Sequence, residues 1–99
     1  MRIEQQIGSD FDRERLAQLK NAEHARGTQL AEQGTLRRIW RIPGRRAVYS
    51  LYDVSGPDEL HDVLSSLPLF PWMEIEVTAL AAHAIDPQRA AATAGSAQR

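Results

Sequence analysis

Pro43-Gly44-Arg45 divides two runs of strand-forming residues, and this break constrains the fold more than any other feature of the chain. Upstream, residues 36–42 interleave Leu36, Ile39, Trp40 and Ile42 with Arg37, Arg38 and Arg41. Downstream, residues 46–54 contain Ala47-Val48-Tyr49-Ser50-Leu51-Tyr52, rich in β-branched and aromatic side chains. Such side chains fit a pleated surface, and a short break holding Pro and Gly reverses the chain. The two runs therefore predict a β-hairpin, which fixes two antiparallel neighbours in mid-sequence.

One helical pattern stands on each side of the hairpin. Residues 1–7 alternate weakly and read as a short strand, and Gly8-Ser9-Asp10 reads as a turn. A helix follows over 11–33. Asp10 or Asp12 can cap it, Glu14 favours its first turn, and Gly34 stops it. Leu16, Leu19, Ala22 and Leu30 are spaced for one helical face. Gly27 costs this helix about 1 kcal/mol relative to alanine and leaves room for a neighbour or ligand to approach. After the hairpin, Ser55-Gly56-Pro57-Asp58 opens a second helix, with Pro57 suited to its first turn. Leu60, Val63, Leu64 and Leu67 mark its buried face, and Pro68 ends it. Residues 69–73 form an apolar loop, and residues 74–80 alternate as a last strand. From Asp86 onward small and polar residues dominate. The expectation is one domain over 1–85 and a flexible tail over 86–99.

The order β-α-β-β-α-β is the split βαβ, an α+β ferredoxin-like fold with an antiparallel sheet. Two helices cover one sheet face, and the other is left for solvent or a partner. A chain of 99 residues buries only a modest fraction of its surface. With Trp40, Tyr49, Tyr52 and Trp72 near the strands, burial of the second face in a homo-oligomer is the expectation.

Several function classes fall away. A net charge of -1 argues against nucleic acid, which asks for a strongly basic face. The absence of cysteine removes disulfides, thiolate metal sites and cysteine nucleophiles. No apolar run is long enough for a membrane helix, and the N-terminus lacks the apolar stretch of a signal peptide, so a cytoplasmic protein is expected. His24, His61 and His83 show no metal-ligand spacing, so no metal is expected. No phosphate-binding glycine loop is present, and Ser50 lacks a nucleophile-elbow context.

Two features carry possible chemistry. Five of the twelve basic residues, Arg37, Arg38, Arg41, Arg45 and Arg46, gather on the hairpin. A guanidinium is a permanently charged planar fork that suits a carboxylate. The cluster is either a pocket for a small organic anion or a solvated outer face. Second, Lys20 and Glu23 lie three apart on the first helix, beside the apolar stripe and Gly27. A carboxylate held partly out of water has a raised pKa and can act as a proton-transfer base. The alternative is an ion pair at the margin of the stripe. His24, one step from Glu23, is expected to face elsewhere. Trp40 and Tyr49 either line a pocket or pack in a core.

Taken together these residues resemble the muconolactone delta-isomerase family. The resemblance runs from about Asp12 to His83. It is carried by Gln18-Leu19-Lys20 with Glu23, by Gly34-Thr35, by Ile39-Trp40-Arg41-Ile42 and by Gly44. It continues through Tyr49-Ser50, Asp53-Val54, Leu60-His61-Asp62, Leu67-Pro68-Leu69-Phe70-Pro71 and Met73 with Ile75-Glu76-Val77. It implies a ferredoxin-like subunit in a ring-like decamer. It also implies a cofactor-free isomerase of aromatic breakdown by the beta-ketoadipate route, acting on a small anionic lactone. On that footing Glu23 is the candidate base. Lys20 and Arg41 are candidates to hold the substrate carboxylate and the developing enolate. Tyr49 and His61 are candidates for orientation or proton relay, and Trp40 and Phe70 for the walls. The chain departs from the family pattern in a short first strand with Gln5-Gln6. Leu36 stands where an aromatic is common, Arg38 where histidine is common, and Arg45-Arg46 makes the hairpin more basic.

Three other readings stand beside this one. They are a paralogue acting on a different lactone, a small oxygenase or cyclase for polycyclic phenols, and a non-catalytic anion-binding assembly module. The discriminating observation is whether Lys20 and Glu23 share a pocket with Arg41 or face bulk water.

Overall fold

A computed structural model describes residues 1–88. Strand β1 (Arg2–Gln5) leads into helix α1 (Arg13–Glu32), which is followed by the hairpin β2 (Leu36–Arg41) and β3 (Ala47–Tyr52). Helix α2 (Pro57–Ser65), a single 3₁₀ turn (Phe70–Trp72) and strand β4 (Met73–Glu76) complete it. The sheet order is β2-β3-β1-β4, and every neighbouring pair is antiparallel. This is the ferredoxin-like α+β arrangement. The tail expected over 86–99 lies, beyond residue 88, outside the described residues.

Local chemistry explains the element ends. Asp12 caps α1, its carboxylate accepting the Glu14 N–H at 3.1 Å. Gly34 follows with φ +80, the left-handed conformation that glycine adopts without a steric cost. In the hairpin the Arg45 N–H donates to the Ile42 carbonyl at 3.3 Å, with Pro43 and Gly44 at the two central positions. Gly44 has φ +80, as the third residue of a type II turn requires. Pro57 occupies the first turn of α2, where its missing N–H costs nothing.

Several boundaries differ from the sequence expectation. The 69–73 loop contains the 3₁₀ turn, with the Trp72 N–H donating to the Leu69 carbonyl at 2.9 Å. The last strand ends at Glu76 rather than Leu80. Glu76 pairs with Arg2, the first residue of β1, so the alternation at 77–80 runs past the end of the neighbouring strand. Val77 and Leu80 are exposed as a result. The first strand is likewise four residues, set by its pairing with Glu74, Met73 and the hairpin.

The core lies between the helices and one sheet face. Ile3, Leu30, Leu64 and Leu67 form its buried centre, with Val48, Tyr52, Leu60, Val63, Phe70 and Ile75 packed around them. Leu30 anchors α1, whereas Ala22, expected on the same stripe, is exposed. Among the described residues neither helix covers the opposite sheet face. It shows Trp40, Tyr49 and Leu51 to the surface, with the Arg38 guanidinium stacked 4.9 Å from the Trp40 ring centre. Arg2 lies among Glu4, Glu74 and Glu76 on the same face, at 3.3–3.6 Å.

Candidate active site

Strand parity decides which hairpin residues meet the helices. Arg41, Val48, Ile3 and Ile75 form one row across the sheet, and Trp40, Tyr49, Arg2 and Glu76 form the next. Adjacent rows point to opposite faces. Ile3, Val48 and Ile75 belong to the core, so Arg41 shares the helix-covered side. Trp40 and Tyr49 are necessarily on the open side.

A cavity of about 650 Å³ opens between α1 and this covered face. Lys20, Glu23, His24, Gly27, Thr28 and Ala31 line it from the helix. Their spacing of three and four makes a single helical stripe. His24 belongs to it because it lies one turn beyond Lys20, contrary to the expectation that it faces elsewhere. From the sheet and hairpin come Arg41, Arg45, Arg46, Val48, Tyr52 and Met73, with Leu67 and Leu69 closing the inner end. The volume suits a small organic ligand.

Glu23 sits at the inner end. One carboxylate oxygen accepts the Leu69 N–H at 3.0 Å, and Leu69 itself is fully buried. The bond ties the acid to the connection between α2 and the 3₁₀ turn, and so fixes its direction. Burial raises the Glu23 pKa above the ordinary carboxylate value, while the Leu69 N–H pulls it partly back. A base that binds its proton more tightly is a stronger proton acceptor. Lys20 and Arg41, at the solvent side of the cavity, supply positive charge to the same space.

Tyr52, grouped in the sequence with the aromatics expected at an oligomer face, is instead the half-buried tyrosine of the cavity wall. Burial, and then the Glu23 charge, raise its phenol pKa, which keeps it a neutral hydrogen-bond donor. The signal was present in the strand: Tyr52 is in phase with the core residue Val48, and Tyr49 is not.

The other candidates lie elsewhere in the subunit. His61 is exposed on α2, its ring edge-on to Phe70 with centroids 6.5 Å apart, and neither lines the cavity. The structure thus brings together Glu23, Lys20 and Arg41, and leaves Trp40, Tyr49, His61 and Phe70 outside this cavity. The arginine cluster also divides. Arg37 lies 3.6 Å from Asp53, Arg38 stacks on Trp40, and Arg41, Arg45 and Arg46 reach the cavity. Among the described residues no group of three or more His, Asp and Glu is arranged to hold a metal ion.

The comparisons with known proteins point one way. The muconolactone delta-isomerase family model matches residues 1–86. The chain is similar to muconolactone delta-isomerase 2 of Acinetobacter lwoffii, with 54% identity over 79% of this chain and 81% of that one. It is 45% identical to muconolactone delta-isomerase of Pseudomonas putida over 75% of this chain and 77% of the relative. A crystal structure of muconolactone isomerase superposes with a TM-score of 0.81 at 40% identity, over 87% of this chain and 90% of the other. A match spanning the sheet, both helices and the cavity wall leaves one conclusion: this chain belongs to the muconolactone delta-isomerase family.

Proposed function

We propose that the protein is an intramolecular isomerase that converts muconolactone to 3-oxoadipate enol-lactone in the breakdown of aromatic compounds. The observation that carries the mechanism is Glu23, a single oriented carboxylate at the inner end of a cavity rimmed by cations. The reaction moves one proton and one double bond. Glu23 removes the proton from the ring carbon that bears the carboxymethyl group. The electron pair passes through the ring double bond to the lactone carbonyl oxygen, giving a dienolate. The same carboxyl returns the proton to the carbon next to the carbonyl. Nothing is gained or lost overall, so the residues of the chain suffice.

The cations have separate tasks. Lys20 and Arg41 hold the substrate carboxylate and stabilise the negative charge that develops on the lactone oxygen. Arg41 projects from a paired strand and is the better-fixed fork. Tyr52 lies closer to the drier end, where a neutral donor serves the same oxygen without desolvating a charge.

The supporting assay is ultraviolet-monitored turnover of muconolactone by the purified protein, with no cofactor added and with chelator present. Turnover under both conditions is the expected result. Binding without turnover would favour the anion-binding module. The exposed Trp40, Tyr49 and Leu51 on the open sheet face support a homo-oligomer, which we place in the cytoplasm as a decamer of this subunit. Among the described residues no helix is long and apolar enough to cross a membrane.

A further inference from the structure

The cavity carries more positive charge than one substrate carboxylate needs. Lys20, Arg41, Arg45 and Arg46 line it together with a single acid, Glu23. Arg45 is already occupied: it contacts the Glu4 carboxylate at 2.6 Å through one terminal nitrogen and donates from Nε at 2.9 Å. Glu23 is tied to the Leu69 N–H and pairs with none of these cations. Among the described residues Lys20, Arg41 and Arg46 have no ion-pair or hydrogen-bond partner for their side chains. Three unpaired cations therefore line the cavity with one carboxylate, and a monoanionic lactone leaves one positive charge over even when Glu23 is ionised.

Arg41 and Arg46 also share a direction. The Arg46 carbonyl accepts the Gln5 N–H at 3.0 Å, and Gln5 pairs with Met73. That places Arg46 in the row two residues from the row of Ile3, Val48 and Arg41, and rows two apart point to the same face. Arg41 and Arg46 thus project from the same sheet face toward the cavity that Lys20 lines from the helix. Like charges held together without a counter-ion repel each other, and a carboxylate between them relieves that repulsion.

We propose that this site binds lactone dianions, with a second carboxylate on the ring held by Arg46 while Lys20 and Arg41 keep the carboxymethyl group. The lactone scaffold in this inference rests on the isomerase reading above; the second anionic group rests on the charge count and strand parity. The substrate class is extended by this, and muconolactone itself remains a ligand.

Calorimetric titration of the intact protein tests it with two saturated lactones that cannot isomerise. One carries a single acetate arm, 5-oxotetrahydrofuran-2-acetate; the other carries an additional carboxylate on the ring carbon next to the one that bears the arm. The expected result at low ionic strength is a Kd about fivefold lower for the dianion, the upper range for partly solvated charge pairs. Added salt should narrow the gap. Arg46→Gln should abolish the preference while leaving the monoanion Kd within about twofold, Arg46→Lys should keep most of it, and Arg37→Gln should not change it. Equal affinities in the wild type overturn the inference, as does a preference that survives Arg46→Gln. Muconolactone turnover is read on the same preparations. Its absence overturns the isomerase reading, whereas turnover with a Kd ratio near one overturns only the dianion inference.

Discussion

Replacing Glu23 by glutamine separates the proton acceptance proposed for this carboxylate from two things it does in the structure. It accepts the Leu69 N–H, and it holds a charge partly out of water. Glutamine keeps the shape and, through its side-chain carbonyl, the bond to Leu69, but takes up no proton. The expected loss in kcat is that of general base catalysis, about 10²–10⁴-fold, or about 3–5 kcal/mol in the barrier. Glu23→Ala should lose activity similarly and also strand the Leu69 N–H, adding about 1 kcal/mol of instability for a half-buried donor. Stability should respond in the opposite direction for Gln. Burial raises the carboxyl above its ordinary value of 4.5, so the folded protein binds this proton more tightly than the unfolded chain. The stability this group contributes is complete below the unfolded value and is lost as pH rises through the folded one. A glutamine is neutral throughout and loses nothing. Glu23→Gln should therefore melt higher than wild type near neutral pH, and the gap should close as pH falls below 4.5. The measurements are initial rates with muconolactone, thermal melts across pH at fixed protomer concentration, and sizing to confirm the native assembly. A folded Glu23→Gln protein that retains near wild-type kcat would refute the assignment of the base.

Other perturbations have defined outcomes. Arg41→Ala should raise KM more than Arg45→Ala, because Arg45 is engaged with Glu4 while Arg41 faces the cavity unpaired; equal KM effects would contradict this division. Gly44→Ala should cost about 1–2 kcal/mol in urea unfolding, since its φ of +80 forces an L side chain into the left-handed region. Gly27→Ala is its control: a methyl there meets nothing within 4 Å, so the helix should gain up to about 1 kcal/mol. Light scattering should show a mass well above a dimer, and a monomer at micromolar concentration would defeat the oligomer.

The order of elements was legible in the sequence because each carries a local signal. Pro43-Gly44 needs only its own backbone to turn, Asp12 caps the helix that begins one residue later, and Pro57 starts α2 by its fixed φ. The pair Lys20 and Glu23 was legible for the same reason, as helical spacing alone puts both on one stripe. The length of β4 was not, since residues 77–80 have the alternation of a strand and lack only a neighbour, and β1 begins at Arg2. Nor was the choice between Tyr49 and Tyr52. Both are strand aromatics, and the inward face is fixed only when β3 pairs with β1 and sets Val48 beside Ile3. The hairpin arginines divide likewise. The sequence determined that five positive charges share one turn of chain; pairing then sent Arg37 to Asp53, Arg38 to Trp40 and Arg45 to Glu4, and left Arg41 and Arg46 unpaired on the wall of the cavity that holds Glu23. Local periodicity tells which residues point the same way, and only long-range pairing tells what they point at.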